Sequence, residues 1–320
     1  MYYIGIDLGG TNIAVGIVTE EGKVFAKKST PTGAGRPEGE VIADIARTVL
    51  ALLDETGISM DDVLSVGIGT PGSVDAEAGV VLSACNLHFE NTDLRTQLGA
   101  YLHKPIYVEN DANCAAWAEA MTGAAAGTRH SVMITLGTGI GGGIVVDGRL
   151  YHGFNNFAGE FGHTIICAGG EPCKCGRRGC FEAYASATAL IRETKKAAEE
   201  DRGSLLWSFA EKEGRFTGRT AFDAAKAGDA TAQAVVDWYI EYLAIGVANA
   251  LEIFQPEVAV IGGGVSHEGA ALFDPLTKRV TDMVYGTYVP KEKQAKILAA
   301  RLGNDAGIVG AALLGKDIET

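Results

Sequence analysis

No cluster of lysines and arginines interrupts this 320-residue chain, and its formal net charge is −13. A field of that sign repels nucleic acid and anionic lipid, which sets a DNA- or membrane-binding role at a disadvantage. Long apolar runs are also missing: the longest uncharged stretch, Ser131 to Val146, is rich in Gly and Thr and falls short of the about 20 apolar residues that span a bilayer. The first residues lack the basic and apolar segments of a secretory signal, because Tyr2-Tyr3-Ile4-Gly5-Ile6 reads directly as a strand. Cysteine is sparse outside one place. Of six, Cys173, Cys175 and Cys180 crowd together, while Cys85, Cys114 and Cys167 stand in apolar or small-residue surroundings, which is no secreted disulfide framework. The expectation is a soluble cytoplasmic protein with neither nucleic acid nor membrane as partner.

What is present suits a globular protein. Hydrophobic residues make up 47% and charged residues 21%, enough for full cores, and the length favours two lobes over one. Residues 2 to 30 alternate short β-like runs with glycine turns, as a three-stranded meander does. Val41, Ile42, Ile45, Val49, Leu52 and Leu53 recur at helical spacing up to Gly57. Val63 to Ile68 and Ile106 to Val108 read as buried strands followed by polar or glycine-rich residues, the place where α/β proteins keep their chemistry. The pattern then restarts: Leu8-Gly9 with Ile17-Val18 is echoed at constant offset by Leu136-Gly137 with Val145-Val146. A long helix over Thr231 to Phe254 leads to a strand, Glu257 to Ile261, that enters Gly262-Gly263-Gly264. A small-residue helix over Gly307 to Leu314 fits either lobe.

Two loops carry phosphate chemistry. Asp7-Leu8-Gly9-Gly10-Thr11-Asn12 sets a carboxylate at a strand end, then glycines that let backbone N–H groups approach an anion, then a hydroxyl. Leu136 to Gly143 repeats this with Gly137, Thr138, Gly139 and Gly141. One such loop is more simply a tight hairpin; two in register favour a nucleotide with Mg²⁺. Neither is followed by Gly-Lys-Ser/Thr, and neither lies between a strand and a helix, so P-loop and dinucleotide readings fall away. His163, Cys173, Cys175 and Cys180 have the composition of a structural zinc site, with three reduced, unliganded thiols as the alternative. Asp111 opens the helical run Ala112 to Met121 after a buried strand, which suits either a first-turn aspartate or a catalytic base.

Asp7 to Thr11, the Glu109-Asn110-Asp111 triplet, Leu136 to Gly143, Gly159 to His163, the cysteine cluster and Gly262 to Gly264 occur in the order found in the ROK family of sugar kinases and repressors, which the chain resembles over essentially its whole length. The resemblance implies an α/β, two-lobed, ribonuclease H-like (actin-like ATPase) fold, each lobe a mixed sheet flanked by helices, with a cleft between lobes. Residues 1–117 with a terminal helix over about 304–320 would form the small lobe and 118–303 the large one. It implies Asp111 as catalytic base, Gly72, Asn110, Asp111, Glu160, His163 and Glu182 on the sugar, and ATP held by Asp7, Gly9, Gly10, Thr11, Asn12, the second loop and an adenosine-side turn, Gly262, Gly263 and Gly264. ATP with Mg²⁺ would be co-substrate and Zn²⁺ structural. Cys180 to Thr188 resembles the glucokinase branch most, so glucose is the expected acceptor, with mannose, fructose and N-acetylated hexosamines as rivals. The family's repressors carry a helix-turn-helix of roughly 60 to 80 residues ahead of the first phosphate loop, and that loop starts here at residue 7. A filament or chaperone-like ATPase of the superfamily would need neither the cysteines nor Glu160 to His163. A homo-oligomer, dimer or tetramer, is implied as well.

Overall fold

The computed structural model describes residues 1–285 and 289–319; Thr320, the last position of the expected terminal helix, lies outside them. In chain order, strands β1 (Tyr2–Leu8), β2 (Asn12–Thr19) and β3 (Val24–Pro31) precede helix α1 (Glu38–Thr56), then β4 (Val63–Thr70), β5 (Ser73–Asp75), β6 (Val80–Ala84) and β7 (Phe89–Asp93). Helix α2 (Leu94–Leu102), β8 (Ile106–Asn110) and α3 (Asp111–Thr122) follow, then β9 (Ser131–Leu136), β10 (Ile140–Val146) and β11 (Arg149–Leu150). Helices α4 (Glu182–Ala185), α5 (Ala187–Glu200), α6 (Leu206–Glu213), α7 (Thr220–Lys226) and α8 (Ala230–Phe254) lead to β12 (Val258–Gly262), α9 (Ala270–Met283), β13 (Lys296–Ala299) and α10 (Ala306–Leu313). Two five-stranded sheets have the orders β3-β2-β1-β4-β8 and β11-β10-β9-β12-β13, and β5-β6-β7 form a small third sheet. The result is the expected mixed α/β class, with helices flanking the sheets.

The chain forms two compact units, residues 1–129 with 143–159 and 301–320, and residues 130–142 with 160–300. A boundary at 117 would cut the continuous helix α3; the first unit runs on to Arg129 and takes in the segment from Gly143, where an added Cβ would stand 2.5 Å from Ala116 Cβ.

In the first unit the alternation along β1 decides the layers. Ile4, Ile6 and Leu8 face a core shared with Ile42, Ile45 and Val49 of α1, while Tyr3 joins Trp117, Ile308, Val309 and Leu313 on the other side. The terminal helix α10 lies on this second face with its backbone against the sheet. A Cβ at Gly5 would come 1.9 Å from the Ile308 carbonyl oxygen, one at Gly67 1.7 Å from that of Ala311, and one at Gly310 1.7 Å from that of Cys114. Glycine is therefore required where α10 touches β1, β4 and α3 backbone to backbone. Gly310→Ala is expected to cost about 1 to 3 kcal/mol and lower the thermal midpoint by about 3 to 10 °C; an unchanged midpoint by calorimetry would contradict this packing. Glu119, fully buried at the end of α3, accepts the backbone N–H groups of Arg301 and Leu302, both at 2.8 Å, and that of Ala124 at 2.6 Å. It thereby fixes the chain where it enters α10.

In the second unit α8 is the central helix. It is the one helix among the described residues long and apolar enough to cross a membrane, yet 61% of its apolar window is buried. Tyr239, fully buried, donates to the Ala185 carbonyl at 2.8 Å. Gly246 leaves room for the Phe181 ring, whose atoms stand 2.2 Å from where a Cβ would sit. The helix is a core element of this unit.

Candidate active site

Three parallel strands of the first unit end together. Asp7 of β1 pairs with Gly69 of β4, and Thr70 of β4 pairs with Asn110 of β8, so Asp7, the Gly72 turn and the Asn110-Asp111 corner share the carboxyl edge of the sheet, where open α/β sheets bind ligands. Asn110 is the N-cap of α3: its Oδ1 accepts from Ala112 N at 2.9 Å and Asn113 N at 3.2 Å, and its Nδ2 donates to the Gly72 carbonyl at 3.1 Å. Gly72 has φ +92°, and a Cβ there would meet Ser83 O at 2.1 Å, so no other residue fits the turn that offers this carbonyl.

Because Asn110 performs the capping, Asp111 is the first helical residue rather than the cap. Its carboxylate reaches solvent, yet loss of hydration is the main cause that raises its pKa to about 6. The negative charge of Asp7 adds to the rise, and hydrogen bonds from the Ala112 N–H and Asn110 oppose it. Burial also pushes Asp7 up. Two carboxyl groups whose fields reach one another, one poised near neutrality, are the kind of pair that acid–base chemistry uses.

The first glycine loop, Gly9 to Thr11, closes the hairpin between β1 and β2 through Gly9 N to Asn12 O at 2.9 Å, and Thr32 Oγ1 donates to Gly9 O at 2.6 Å. Gly9 and Gly10 do not have positive φ, and a Cβ at Gly10 would meet Asn86 at ordinary contact distances, its Cβ at 3.5 Å and its O at 3.9 Å. The protein itself does not demand glycine at position 10.

In the second unit the loop between β9 and β10 repeats this form, with Gly137 N bonded to Gly139 O at 3.0 Å. Its carbonyls are held from α5: Ala187 N bonds Gly137 O at 2.9 Å and Thr188 Oγ1 bonds Thr138 O at 2.7 Å. Gly141 lies just past the turn, as the second residue of β10. Gly262 ends β12, which runs parallel to β9 in register Gly262 to Thr135; Gly263 has φ +85° and would clash through a Cβ with Leu136 O at 2.4 Å. The triple-glycine turn and the second loop thus share one sheet edge of this unit.

His163, Cys173, Cys175 and Cys180 place one ligand atom each within 4.8 Å of one another. Cys175 Sγ and Cys180 Sγ stand 3.6 Å apart, and Cys173 Sγ is 3.8 Å from His163 Nδ1. The edges of a tetrahedral Zn–S site are about 3.8 Å, so the spacing fits a four-coordinate ion, and all six cysteines are free of disulfides. Arg177 lowers the Cys175 thiol to about 6, while burial pushes Cys180 up to about 12. The donor set is compatible with a structural zinc ion. A knuckle positions them, with Cys173 N bonded to Arg177 O at 2.8 Å and Gly176 N to Cys173 O at 3.0 Å.

Glu182 bridges features that the sequence treats separately. Its Oε2 accepts from Ile140 N at 3.0 Å beside the second loop, and its Oε1 lies 3.8 Å from Cys173 Sγ. Glu160 is exposed and precedes the short turn that carries His163. Two residues without an assigned role stand out in the first unit. Glu109, 3% exposed, meets His152 Nε2 at 2.6 Å. The signal for Glu109 was a charge at the end of an apolar strand; nothing local marked His152.

Comparison with known proteins supplies the lineage. The ROK family model matches residues 3–318. A glucokinase of Thermotoga maritima is 39% identical over 98% of this chain and 97% of its own length, and one of Halalkalibacterium halodurans 37% over 99% and 96%. A solved ROK glucokinase of Streptomyces griseus, in complex with glucose and AMPPNP, superposes with a TM-score of 0.82 at 35% identity, covering 99% of this chain and 100% of that one. A family match over nearly every residue, with relatives that align end to end, means that the chain belongs to the ROK family.

Proposed function

We propose that this protein transfers the γ-phosphoryl group of MgATP to glucose, with Asp111 as the base. The observation that carries the reading is the state of Asp111: relieved of capping by Asn110, solvent-accessible, and raised to about 6 beside Asp7. A carboxylate of that pKa is ionised at neutral pH and accepts a proton readily as the sugar hydroxyl attacks. The hydroxyl oxygen forms its bond to the γ-phosphorus, the bond from that phosphorus to the ADP oxygen breaks, and the hydroxyl proton passes to Asp111. The relatives named as glucokinases, one of them solved with glucose and an ATP analogue, support the choice of sugar and donor.

Within this reading, Gly9 to Asn12, Gly137 to Gly139 and the Gly262 to Gly264 turn serve the nucleotide, and Asp7 carries the carboxylate for the magnesium that ATP brings. Asn110, Glu160, His163 and Glu182 serve the sugar hydroxyls, which need paired donors and acceptors. A zinc ion held by His163 and the three thiolates would supply folding energy and charge balance. His163 has Nδ1 on the cysteine side, which leaves Nε2 to donate or accept toward a hydroxyl.

ADP release, measured by a coupled assay across glucose, mannose, fructose and N-acetylglucosamine, tests the proposal. Glucose is expected to give the highest kcat/KM, by about tenfold or more over the others. A higher value for another hexose moves the substrate within the class; ATP hydrolysis indifferent to every sugar would refute the kinase reading.

A further inference from the structure

We propose that His152 is a positioning residue for phosphoryl transfer, acting through Glu109 on the strand-to-helix corner that aims Asp111; this rests on Asp111 being the base. Glu109 closes β8 and is nearly inaccessible to water. Its Oε1 accepts the Asn110 backbone N–H at 2.8 Å and the Asn113 side-chain amide at 3.0 Å, so one carboxylate braces residues on both sides of Asp111. Its Oε2 meets His152 Nε2 at 2.6 Å, a bond that raises the imidazole pKa and favours the charged ring.

The pairing is what lets Glu109 stay inward. A buried carboxylate oxygen left without its partner is costly and draws the group toward water. That movement would withdraw Oε1 from Asn110 and Asn113, the two residues that set the first turn of α3. His152 is itself well held. Its carbonyl accepts Ala158 N at 3.1 Å, closing a compact loop. Gly153, at φ +72°, makes the turn, with Ala158 Cβ 3.3 Å from where a side chain would begin. That loop runs on through Gly159 into Glu160, so the same bond anchors the chain just ahead of a residue assigned to the sugar.

Steady-state kinetics with glucose on wild type, His152→Ala, His152→Gln and Glu109→Gln, each with a thermal melt, test the proposal. A small misplacement of a base is expected to lower kcat about tenfold or more in His152→Ala and Glu109→Gln, with KM for glucose within about threefold. His152→Gln, which restores an N–H donor at similar reach, should recover most of the kcat, and the His152→Ala midpoint should stay within a few degrees of wild type. Unchanged kcat in His152→Ala overturns the proposal. So does an equal loss in the Ala and Gln variants that tracks a collapse in melting temperature, since that is a purely structural role. A wild-type protein that phosphorylates no hexose overturns the kinase reading first, and this inference with it.

Discussion

Asp111→Ala is expected to lower turnover by about a hundred- to ten-thousand-fold while glucose still binds, because a general base acts only as the hydroxyl attacks. Isothermal titration with glucose beside the coupled assay separates the two effects, and near-normal turnover would show that the base is misassigned. The pH profile carries its own mark. Since the Asp111 pKa is raised to about 6, kcat/KM should fall below that pH as the carboxyl group takes up its proton. Stability runs the other way. A folded pKa above the unfolded value means that the folded protein binds the proton more tightly, so the ionised side chain is a burden above about pH 6 that is relieved as pH falls toward about 4. Asp111→Asn should therefore melt higher than wild type at pH 7, with the gain gone at pH 4. A variant that melts lower at pH 7 would contradict the desolvation behind the shift.

Purified protein should hold about one zinc per chain, and Cys175→Ser should release it, lower the melting temperature and raise KM for glucose by about tenfold or more. The loop from His163 to Cys180 has little core of its own. Its cysteines stand at the spacing of a tetrahedral site, and isolated two-residue β bridges, Ile165 with Cys180 and Pro172 with Arg178, are the sheet pairing it has among the described residues. Without the cation three sulfurs compete for protons, and the His163 ring loses the partner that orients it. Because Glu182 touches both Cys173 and the Ile140 N–H, disorder there should also reach the second phosphate loop and raise KM for ATP. Elemental analysis that finds no metal, or a stripped protein with unchanged melting and KM, would defeat this.

Much of this architecture was legible in the sequence because its periodicities are strong. The apolar spacing from Val41 to Leu53 became α1, ended by Gly57 in a left-handed conformation, and the repeated glycine hairpins became the ends of β1 and β9. The small-residue helix could not be assigned from its own residues. Ala306–Leu313 is apolar on every side, so its pattern has no preferred face; its seat is set by Gly5 and Gly67, far away in sequence, which lack the Cβ atoms that would collide with it. The third sheet was missed because its strands are short, three to five residues, and Phe89–Asp93 is largely polar. In the site, residues that sit within motifs were readable, whereas His152 gains meaning only from a partner 43 positions away.

The seat of α10 also sets an order on biosynthesis. The sheet that carries Asp7 and Asn110 leaves the ribosome early, but the helix that covers its second face begins at Ala306, roughly 180 residues after Arg129. At about 5 to 20 residues per second this leaves that face without α10 for roughly 9 to 36 seconds. During this interval Tyr3, Val18 and Trp117 lack the contacts with Ile308, Val309 and Leu313 that complete their cluster.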